Sequence, residues 1–162
     1  MATTVKTQFT RDVLADEKTD QVATLLQHNL TNLIDLALLM KQAHWCVVGP
    51  NFRSIHLQLD EIIASVRAAS DEVAERISTL GIAPDGRSAK VASDSDLQQY
   101  PEGFVKVGPT IGRVADAMKT TVDELRSAIG TLGDLDPISE DMCIAITGPL
   151  EKHLWMLQAQ EA

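Results

Sequence analysis

The chain has 162 residues, of which 44% are hydrophobic, 23% charged and 4% aromatic, and its formal charge is -9. This length suits one domain with a buried core, and the aliphatic, aromatic-poor composition is typical of a helical protein rather than of a disordered chain or a β-sandwich. The acidic balance argues against a broad nucleic-acid-binding face, which needs clustered Lys and Arg, and fits a protein that handles cations.

The sequence also indicates the cellular compartment of the protein. No apolar stretch approaches the roughly 20 residues of a membrane span, and the first twenty residues hold no apolar signal region. We therefore expect a cytoplasmic protein with no membrane partner. In such a protein Cys46 and Cys143 are expected to be buried thiols rather than a disulfide or a metal pair.

The first half of the chain predicts two long helices. Residues 1–18 form a polar, partly flexible tail, and residues 19–162 form one four-helix bundle. The first helix starts at Thr19 and Asp20 and ends before Gly49 and Pro50. The second helix runs from Asn51 to residue 81, and the short connection makes the two helices antiparallel neighbours.

The second half begins with a long connection. Residues 82–109 are polar and rich in Pro and Gly, with one short helix predicted over residues 93–99. A third helix covers about residues 109–132. Ser139 is predicted to cap a fourth helix, which Pro149 should kink or loosen by one turn. Short, long and short connections indicate an all-α, ferritin-like bundle, although any four-helix bundle with one long linker shares this pattern.

Metal-capable side chains lie on one face of the second helix. At about 100° per residue they fall near 0°, 40°, 60° and 100°, and His44 with Trp45 lies close by at the end of the first helix. Each of these residues taken alone has an ordinary surface or core role, but five in one geometry indicate a metal site. The four on the second helix are His56, Asp60, Asp71 and Glu75.

Axial rise decides how such a site is built. Asp60 and Asp71 lie about 16 Å apart along a helix axis, and His56 and Glu75 about 28 Å apart. Metal–ligand bonds are only about 2.0–2.2 Å long, so one chain cannot close a centre with both ends of this set. A two-fold axis between antiparallel copies of the second helix would complete two equivalent centres. The sequence therefore predicts a dimer together with the metal site.

The ligand types narrow the chemistry. Imidazole with several carboxylates suits iron or manganese, and a set without cysteine argues against structural zinc. The Glu-x-x-His pairs of di-iron centres inside a bundle are absent, since Glu151 and His153 are two residues apart. His28 and His153 are expected to be non-functional because neither has acidic partners at metal spacing. An iron-oxidising enzyme, a ferroxidase, is the chemistry that this set favours.

These residues resemble the signature of the Dps family, the miniferritins. The resemblance extends over nearly the whole chain from Asp20. It implies a twelve-subunit shell that oxidises Fe(II), preferably with hydrogen peroxide, at two-iron centres and stores a ferric mineral core. The matching segments are His-Trp-Cys-Val-Val-Gly-Pro-Asn-Phe at 44–52, then His56, Asp60, Asp-Glu-Val-Ala-Glu-Arg-Ile at 71–77, Gly81, Glu151, Lys152 and Trp155.

The resemblance also implies a role for each site residue. One subunit would supply His44, His56 and Asp60, and its two-fold mate would supply Asp71 and Glu75. Trp45 would be the aromatic residue that takes up stray oxidising equivalents beside the centre.

Acidic residues before and within the fourth helix match those that line three-fold pores in this family. Three copies around an axis would create a field that attracts cations. The alternative is that these acids complement the dipole at the start of the helix. The residues concerned are Asp134, Asp136, Glu140 and Asp141, of which Asp136 and Asp141 are favoured as pore residues.

Two other functions stay open at this point. Members of the family that bind DNA often use basic tails, and here Lys6, Arg11 and Lys18 are interspersed with four acids between residues 12 and 20. One alternative is therefore a DNA-binding, nucleoid-protecting protein in which iron oxidation is secondary. The other is a purely structural bundle whose His and Asp residues are accidental.

Overall fold

A computed structural model describes residue 9 and residues 11–161, so that half of the predicted tail and the side chain of Asp16 lie outside the described part. Four long helices and one short helix account for nearly all of the regular structure. None of the helices in the described part is both long and apolar enough to cross a membrane. The elements are α1 (Asp16–Cys46), β1 (Val47–Val48), α2 (Phe52–Thr79), α3 (Ser88–Asp94), β2 (Val105–Lys106), α4 (Val107–Leu135) and α5 (Pro137–Gln158).

The helices pack as two pairs around a continuous apolar core. The close sequence connections make α1 and α2 one antiparallel pair and α4 and α5 the other, while α1 packs on α4 and α2 on α5. This arrangement confirms the predicted all-α, four-helix bundle with a long crossover that carries a short helix. The largest fully buried side chains are Leu26, Leu33, Leu36, Met40, Ile55, Leu59, Ile62, Ile77, Met118, Leu125, Leu132 and Leu150.

Two helices begin at positions that differ from the prediction. α1 starts about one turn early, at Asp16, because the backbone N–H groups of Lys18 and Thr19 donate to the carbonyl of Ala15. The short helix α3 ends at Asp94 instead of spanning residues 93–99. The residues after Asp94 are extended and are hydrogen-bonded to α1, which removes them from the helix.

The junction of α4 and α5 also differs from the prediction. α4 continues through Gly133 to Leu135, and Asp136 rather than Ser139 is the N-cap of α5. The Asp136 carboxylate accepts a hydrogen bond from the backbone N–H of Ile138 at 3.3 Å. α5 runs without a break across Pro149, which lies on the exposed side of the helix.

A two-residue parallel ladder holds the turn between α1 and α2. Val47 pairs with Val105 and Val48 pairs with Lys106, so the crossover is attached to the end of α1. Gly49 and Asn51 then adopt positive φ values of 115° and 62°, which reverse the chain within a few residues. The turn brings the end of α1 and the start of α2 side by side.

Candidate metal centre

Two histidines meet across this turn. His44 is in the last turn of α1 and is 7% exposed, while His56 is in the second turn of α2. Their rings stack with centroids 3.6 Å apart and planes inclined by 21°. The predicted proximity of the two imidazoles is therefore seen within one chain.

Each imidazole is oriented by the backbone of the other residue. His44 Nδ1 lies 2.8 Å from the carbonyl oxygen of His56, and His56 Nδ1 lies 2.9 Å from the carbonyl oxygen of His44. Because a carbonyl oxygen only accepts, each Nδ1 must carry the proton and donate. The neutral ring then has its lone pair on Nε2, which is the atom free to bind a metal. Both rings are thus set in the tautomer that a metal ligand needs.

Asp60 lies one turn beyond His56 and forms an ion pair with α1. Lys41 Nζ donates to Asp60 Oδ1 at 2.6 Å, and His44 Nδ1 is 3.4 Å from the same oxygen. The hydrogen bond from Lys41 lowers the pKa of Asp60 below its ordinary value, and the desolvation that opposes this shift is smaller. Asp60 is therefore ionised at neutral pH, but its carboxylate is already in contact with a cation.

Asp71 and Glu75 lie near the other end of α2. Both side chains are exposed. Among the described residues, neither carboxylate has an ion pair or a hydrogen bond from another side chain. Two unpaired acids four residues apart on one helix face are available to bind a cation.

The five predicted ligands do not converge within one chain. In the described residues, no three of their ligand atoms lie within 4.8 Å of one another. α2 is continuous from residue 52 to residue 79, so Asp60 and Asp71 stay about 16 Å apart along its axis. One chain therefore presents two separate half-sets of ligands. The first, near the start of α2, is His44, His56 and Asp60, and the second, near its end, is Asp71 and Glu75.

A numerical relation links the two half-sets. Positions 56 and 75 have the same midpoint as positions 60 and 71, between Ser65 and Val66. A two-fold axis through that point would set His56 against the partner's Glu75 and Asp60 against the partner's Asp71. Of the exposed residues between the half-sets, Ala64 and Arg67 lie nearest the midpoint, and Ala64 is small enough for a second helix to approach closely beside it.

Trp45 is not packed beside the two histidines within one chain. Its side chain is 64% exposed, and the Lys41 ammonium lies 6.0 Å from the ring centroid. Lys41 therefore contacts both Asp60 and the indole. A large exposed aromatic residue next to an incomplete site is typical of a surface that a partner covers.

The predicted pore acids have different environments. Asp134 and Asp141 are exposed, so a role in a pore stays a prediction for these two. Asp136 is 4% exposed, and its carboxylate accepts hydrogen bonds from Ser139 and from Arg76, the latter at 2.6 Å. Its contacts within the chain are those of a helix cap and a buried ion pair, which favours the structural alternative for Asp136.

The expectations for the remaining histidines and cysteines have mixed outcomes. The expectation that His28 has no acidic partners is wrong, because its Nε2 lies 2.9 Å from Asp96 Oδ2. His153 Nε2 instead lies 3.0 Å from Ser65 Oγ. Cys46 and Cys143 are free, as expected, but only Cys143 is buried, since Cys46 is partly exposed. Burial raises the pKa of Cys143 to about 11, which makes it a poor metal ligand.

Comparisons with known proteins agree with this architecture. The family model described as "Ferritin-like domain" matches residues 23–161. The DNA protection during starvation protein of Mycolicibacterium smegmatis is 39% identical over 153 residues, which cover 94% of this chain and 84% of that protein.

Solved structures give the same result. Mycobacterium smegmatis Dps in its tetragonal form superposes with a TM-score of 0.89 at 38% identity, over 95% of this chain and 93% of that one. Dps from Microbacterium arborescens in its high iron form gives a TM-score of 0.88 at 30% identity, over 93% of this chain and 98% of that one. The chain therefore belongs to the Dps family of ferritin-like proteins.

Proposed function

We propose that this protein oxidises Fe(II), preferably with hydrogen peroxide, at centres shared by two subunits, and stores the ferric product inside a hollow shell. The observation that carries the proposal is the pair of half-sets on α2, which share one midpoint and are incomplete in a single chain. The donor types fit iron as the substrate, because imidazole nitrogen and carboxylate oxygen are both good ligands for Fe(II).

The residues of one half-set would bind the ferrous substrate. The Nε2 atoms of His44 and His56 supply neutral donors, whose orientation is fixed by the two carbonyl hydrogen bonds. Asp60 supplies an anionic oxygen once Lys41 moves aside. Asp71 and Glu75 of a second subunit would supply the remaining oxygens, which favour the ferric product because its higher charge is better neutralised by carboxylates.

The chemistry requires two electrons for each peroxide. Two ferrous ions give up one electron each, the O–O bond of hydrogen peroxide breaks, and both oxygens leave as hydroxide or in the ferric oxide-hydroxide. Hydrolysis of the ferric ions releases protons, which must leave the centre. Pairing of two irons at one site avoids a one-electron reduction of peroxide and the radical that it would produce. Trp45 would take up an oxidising equivalent that escapes this pairing.

Storage requires a closed assembly. The family suggests a twelve-subunit shell with the iron centres at its two-fold interfaces. Ferrous iron would pass through three-fold pores lined by Asp134 and Asp141, both of which are exposed in the isolated subunit. A cytoplasmic location fits this role, because that compartment is where iron and peroxide would meet DNA.

DNA binding stays the alternative function, with iron oxidation secondary. The name of the Mycolicibacterium relative refers to DNA protection. In the described part of the tail, however, Arg11 is accompanied by exposed Asp12 and Glu17, and Lys18 donates to the backbone carbonyl of Asp134 at 3.1 Å. Because a phosphate-binding tail needs unpaired basic residues, these contacts favour iron chemistry as the main activity.

A mixed-subunit experiment tests the shared centre. Asp60→Asn and Asp71→Asn should each abolish rapid iron oxidation in a homogeneous assembly. When the two variants are unfolded and refolded together, random pairing gives half mixed dimers, and each mixed dimer holds one fully intact centre out of two. Peroxide-dependent iron oxidation should therefore recover to about a quarter of the wild-type rate per subunit.

Two controls make the result decisive. The separately assembled variants, mixed without refolding, should stay inactive because their subunits do not exchange partners. A centre within one chain would give no recovery after co-refolding, since every subunit then lacks one ligand. Full activity of either variant alone would contradict the assignment of these carboxylates to the centre.

A further inference from the structure

A second group of metal-ligand side chains lies away from the proposed iron centre. His28 Nε2 is 2.9 Å from Asp96 Oδ2 and 3.3 Å from Glu124 Oε2. In the described residues this is the one group of three or more His, Cys, Asp or Glu whose ligand atoms all lie within 4.8 Å of one another. The three residues come from α1, from the crossover after α3 and from α4, so the fold rather than local sequence brings them together.

The group is separate from the iron centre. His28 and His44 are sixteen residues apart on α1, which corresponds to about 24 Å along the axis and about 160° around it. His28 therefore lies on nearly the opposite face of the helix from His44. None of the three residues belongs to the proposed iron ligands, and the inference does not rest on the proposed function.

Asp96 is held in place by a buried amide. Asn32, which is fully buried, donates from Nδ2 to Asp96 Oδ2 at 2.9 Å and accepts from the backbone N–H of Asp96 at 3.0 Å. One residue earlier, Ser95 Oγ donates to Asp35 Oδ2 at 2.5 Å. The crossover is thus fixed to α1 at two adjacent residues. Outer hydrogen bonds of this kind orient the ligands in protein metal sites.

The charge of the group is not balanced by the protein. Among the described residues, neither Asp96 nor Glu124 has a Lys or Arg partner within 4.0 Å, and His28 is the only cationic-capable group that contacts either. An imidazolium would supply one positive charge against two carboxylates held close together. A divalent cation would neutralise both and would accept the imidazole lone pair as well.

We propose that His28, Asp96 and Glu124 bind one divalent transition-metal ion of the class of Zn²⁺, Fe²⁺ or Mn²⁺. One nitrogen and two oxygen donors suit this class, whereas Ca²⁺ and Mg²⁺ prefer oxygen ligands alone. The side chains are 40%, 44% and 40% exposed, so the ion is accessible from solvent and keeps positions for water. Its effect is to attach the crossover to both α1 and α4.

Zinc binding to the assembled protein tests the site, with Zn²⁺ as the probe. Titration calorimetry, with the zinc content measured after dialysis, should show one more ion per subunit in the wild type than in His28→Gln or Glu124→Gln. The control Asp116→Asn removes the same charge as Glu124→Gln, from an exposed position two turns earlier on α4, and should bind as many ions as the wild type. Iron oxidation should be unchanged in all three variants.

Hydrogen exchange gives a second readout that does not depend on counting ions. Zinc should slow amide exchange at least tenfold in residues 95–100 of the wild type and of Asp116→Asn, and should leave this segment unchanged in His28→Gln. Equal zinc content in the wild type and both ligand variants would overturn the proposal. Zinc-dependent protection that survives in His28→Gln would overturn it too, and would leave a hydrogen-bonded ion-pair cluster as the role of these residues.

Discussion

Lys41 is the residue whose contact competes most directly with the proposed substrate. Its ammonium group donates a hydrogen bond at 2.6 Å to Asp60 Oδ1, the oxygen that also lies 3.4 Å from His44 Nδ1. A ferrous ion that binds Asp60 must therefore displace a cation of the protein itself. The ion pair is partly exposed, at 26% for Lys41 and 46% for Asp60, so this competition is modest.

We expect Lys41→Gln to tighten ferrous binding at the centre. An exposed ion pair contributes about 1 kcal/mol or less, so the affinity should rise by at most about fivefold. Anaerobic titration with Fe(II) would measure the change. Lys119→Gln removes an equal charge from an ion pair with Asp123 on α4 and should leave the affinity unchanged. Weaker binding in Lys41→Gln would show that Lys41 supports the substrate instead of competing with it.

The sequence predicts the proximity of site residues only where they are close together in the chain. The turn between α1 and α2 is five residues long, so the meeting of His44 and His56 follows from helix geometry. The group at His28 cannot be predicted from local spacing, because Asp96 and Glu124 are 68 and 96 residues away in the sequence. No periodicity connects such positions, and their proximity depends on how the crossover packs on α1.

Among the secondary-structure elements, the junction of α4 and α5 depends on one buried ion pair. Asp136 caps α5 and binds Arg76 of α2, so it connects three helices. Burial raises the pKa of Asp136, but the hydrogen bonds from Ser139 and Arg76 outweigh it, and the net pKa lies below the ordinary 3.8. The charged form is therefore stabilised in the folded state relative to the unfolded one.

This shift predicts a loss of stability in acid. Because the folded pKa is the lower one, the contribution of Asp136 is complete above about pH 4 and disappears as the pH falls through the folded pKa. Asp136→Asn should lower the free energy of unfolding by about 2–3 kcal/mol at pH 7, since Arg76 is left largely buried without its partner. Thermal unfolding measured between pH 3 and pH 7 would show a smaller decrease of the melting temperature in acid for the variant than for the wild type.

Asp134→Asn is the matched control for this prediction. It removes the same charge two residues earlier, from an exposed carboxylate that has no ion pair among the described residues. Its unfolding should follow the wild-type pH dependence. If both variants changed stability equally, the effect would come from net charge, and the buried pair would not be its cause.

The elements themselves were largely predictable, and the exceptions have physical causes. The four long helices follow from apolar residues at helical spacing, because each helix buries one face. α4 passes Gly133 because the burial of Leu132 outweighs the roughly 1 kcal/mol that a helical glycine costs. The observed short helix lies five residues before the predicted one because hydrogen bonds to Asp35 and Asn32 hold the residues after Asp94 extended. Such tertiary contacts leave no local pattern.

The surface of the whole subunit indicates assembly. Phe104, Trp45 and Trp155 are 78%, 64% and 63% exposed. Trp45 and Phe104 flank the ladder between β1 and β2, and Trp155 lies in the last turn of α5, which ends beside the start of α2. Large exposed apolar side chains are typical of a surface that a neighbouring chain covers. A closed shell needs such contacts at more than one kind of symmetry axis, and the α2 face with its two half-sets fits a two-fold axis.

Close approach of two α2 helices is required for the shared centre, and it can be blocked at one residue. Ala64 is exposed and lies between the two half-sets, near the common midpoint. Ala64→Arg would place a long charged side chain, and by symmetry a second one beside it, where the helices meet. We expect the particle mass to fall and iron oxidation to drop at least tenfold, with helix content by circular dichroism unchanged.

Ala92→Arg adds the same side chain at an exposed position of α3 instead of α2, and separates the effect of position from that of charge. This control should keep the wild-type particle mass and iron oxidation rate. The iron oxidation rate of the dissociated Ala64→Arg subunit then tests whether one chain alone can hold the centre. Because one chain keeps its carboxylate pairs about 16 Å apart along a rigid helix, a monomer should have no rapid oxidation at any iron concentration. A monomer that oxidised iron at the wild-type rate would place the whole centre within one chain, and the two-fold geometry would then have no role in catalysis.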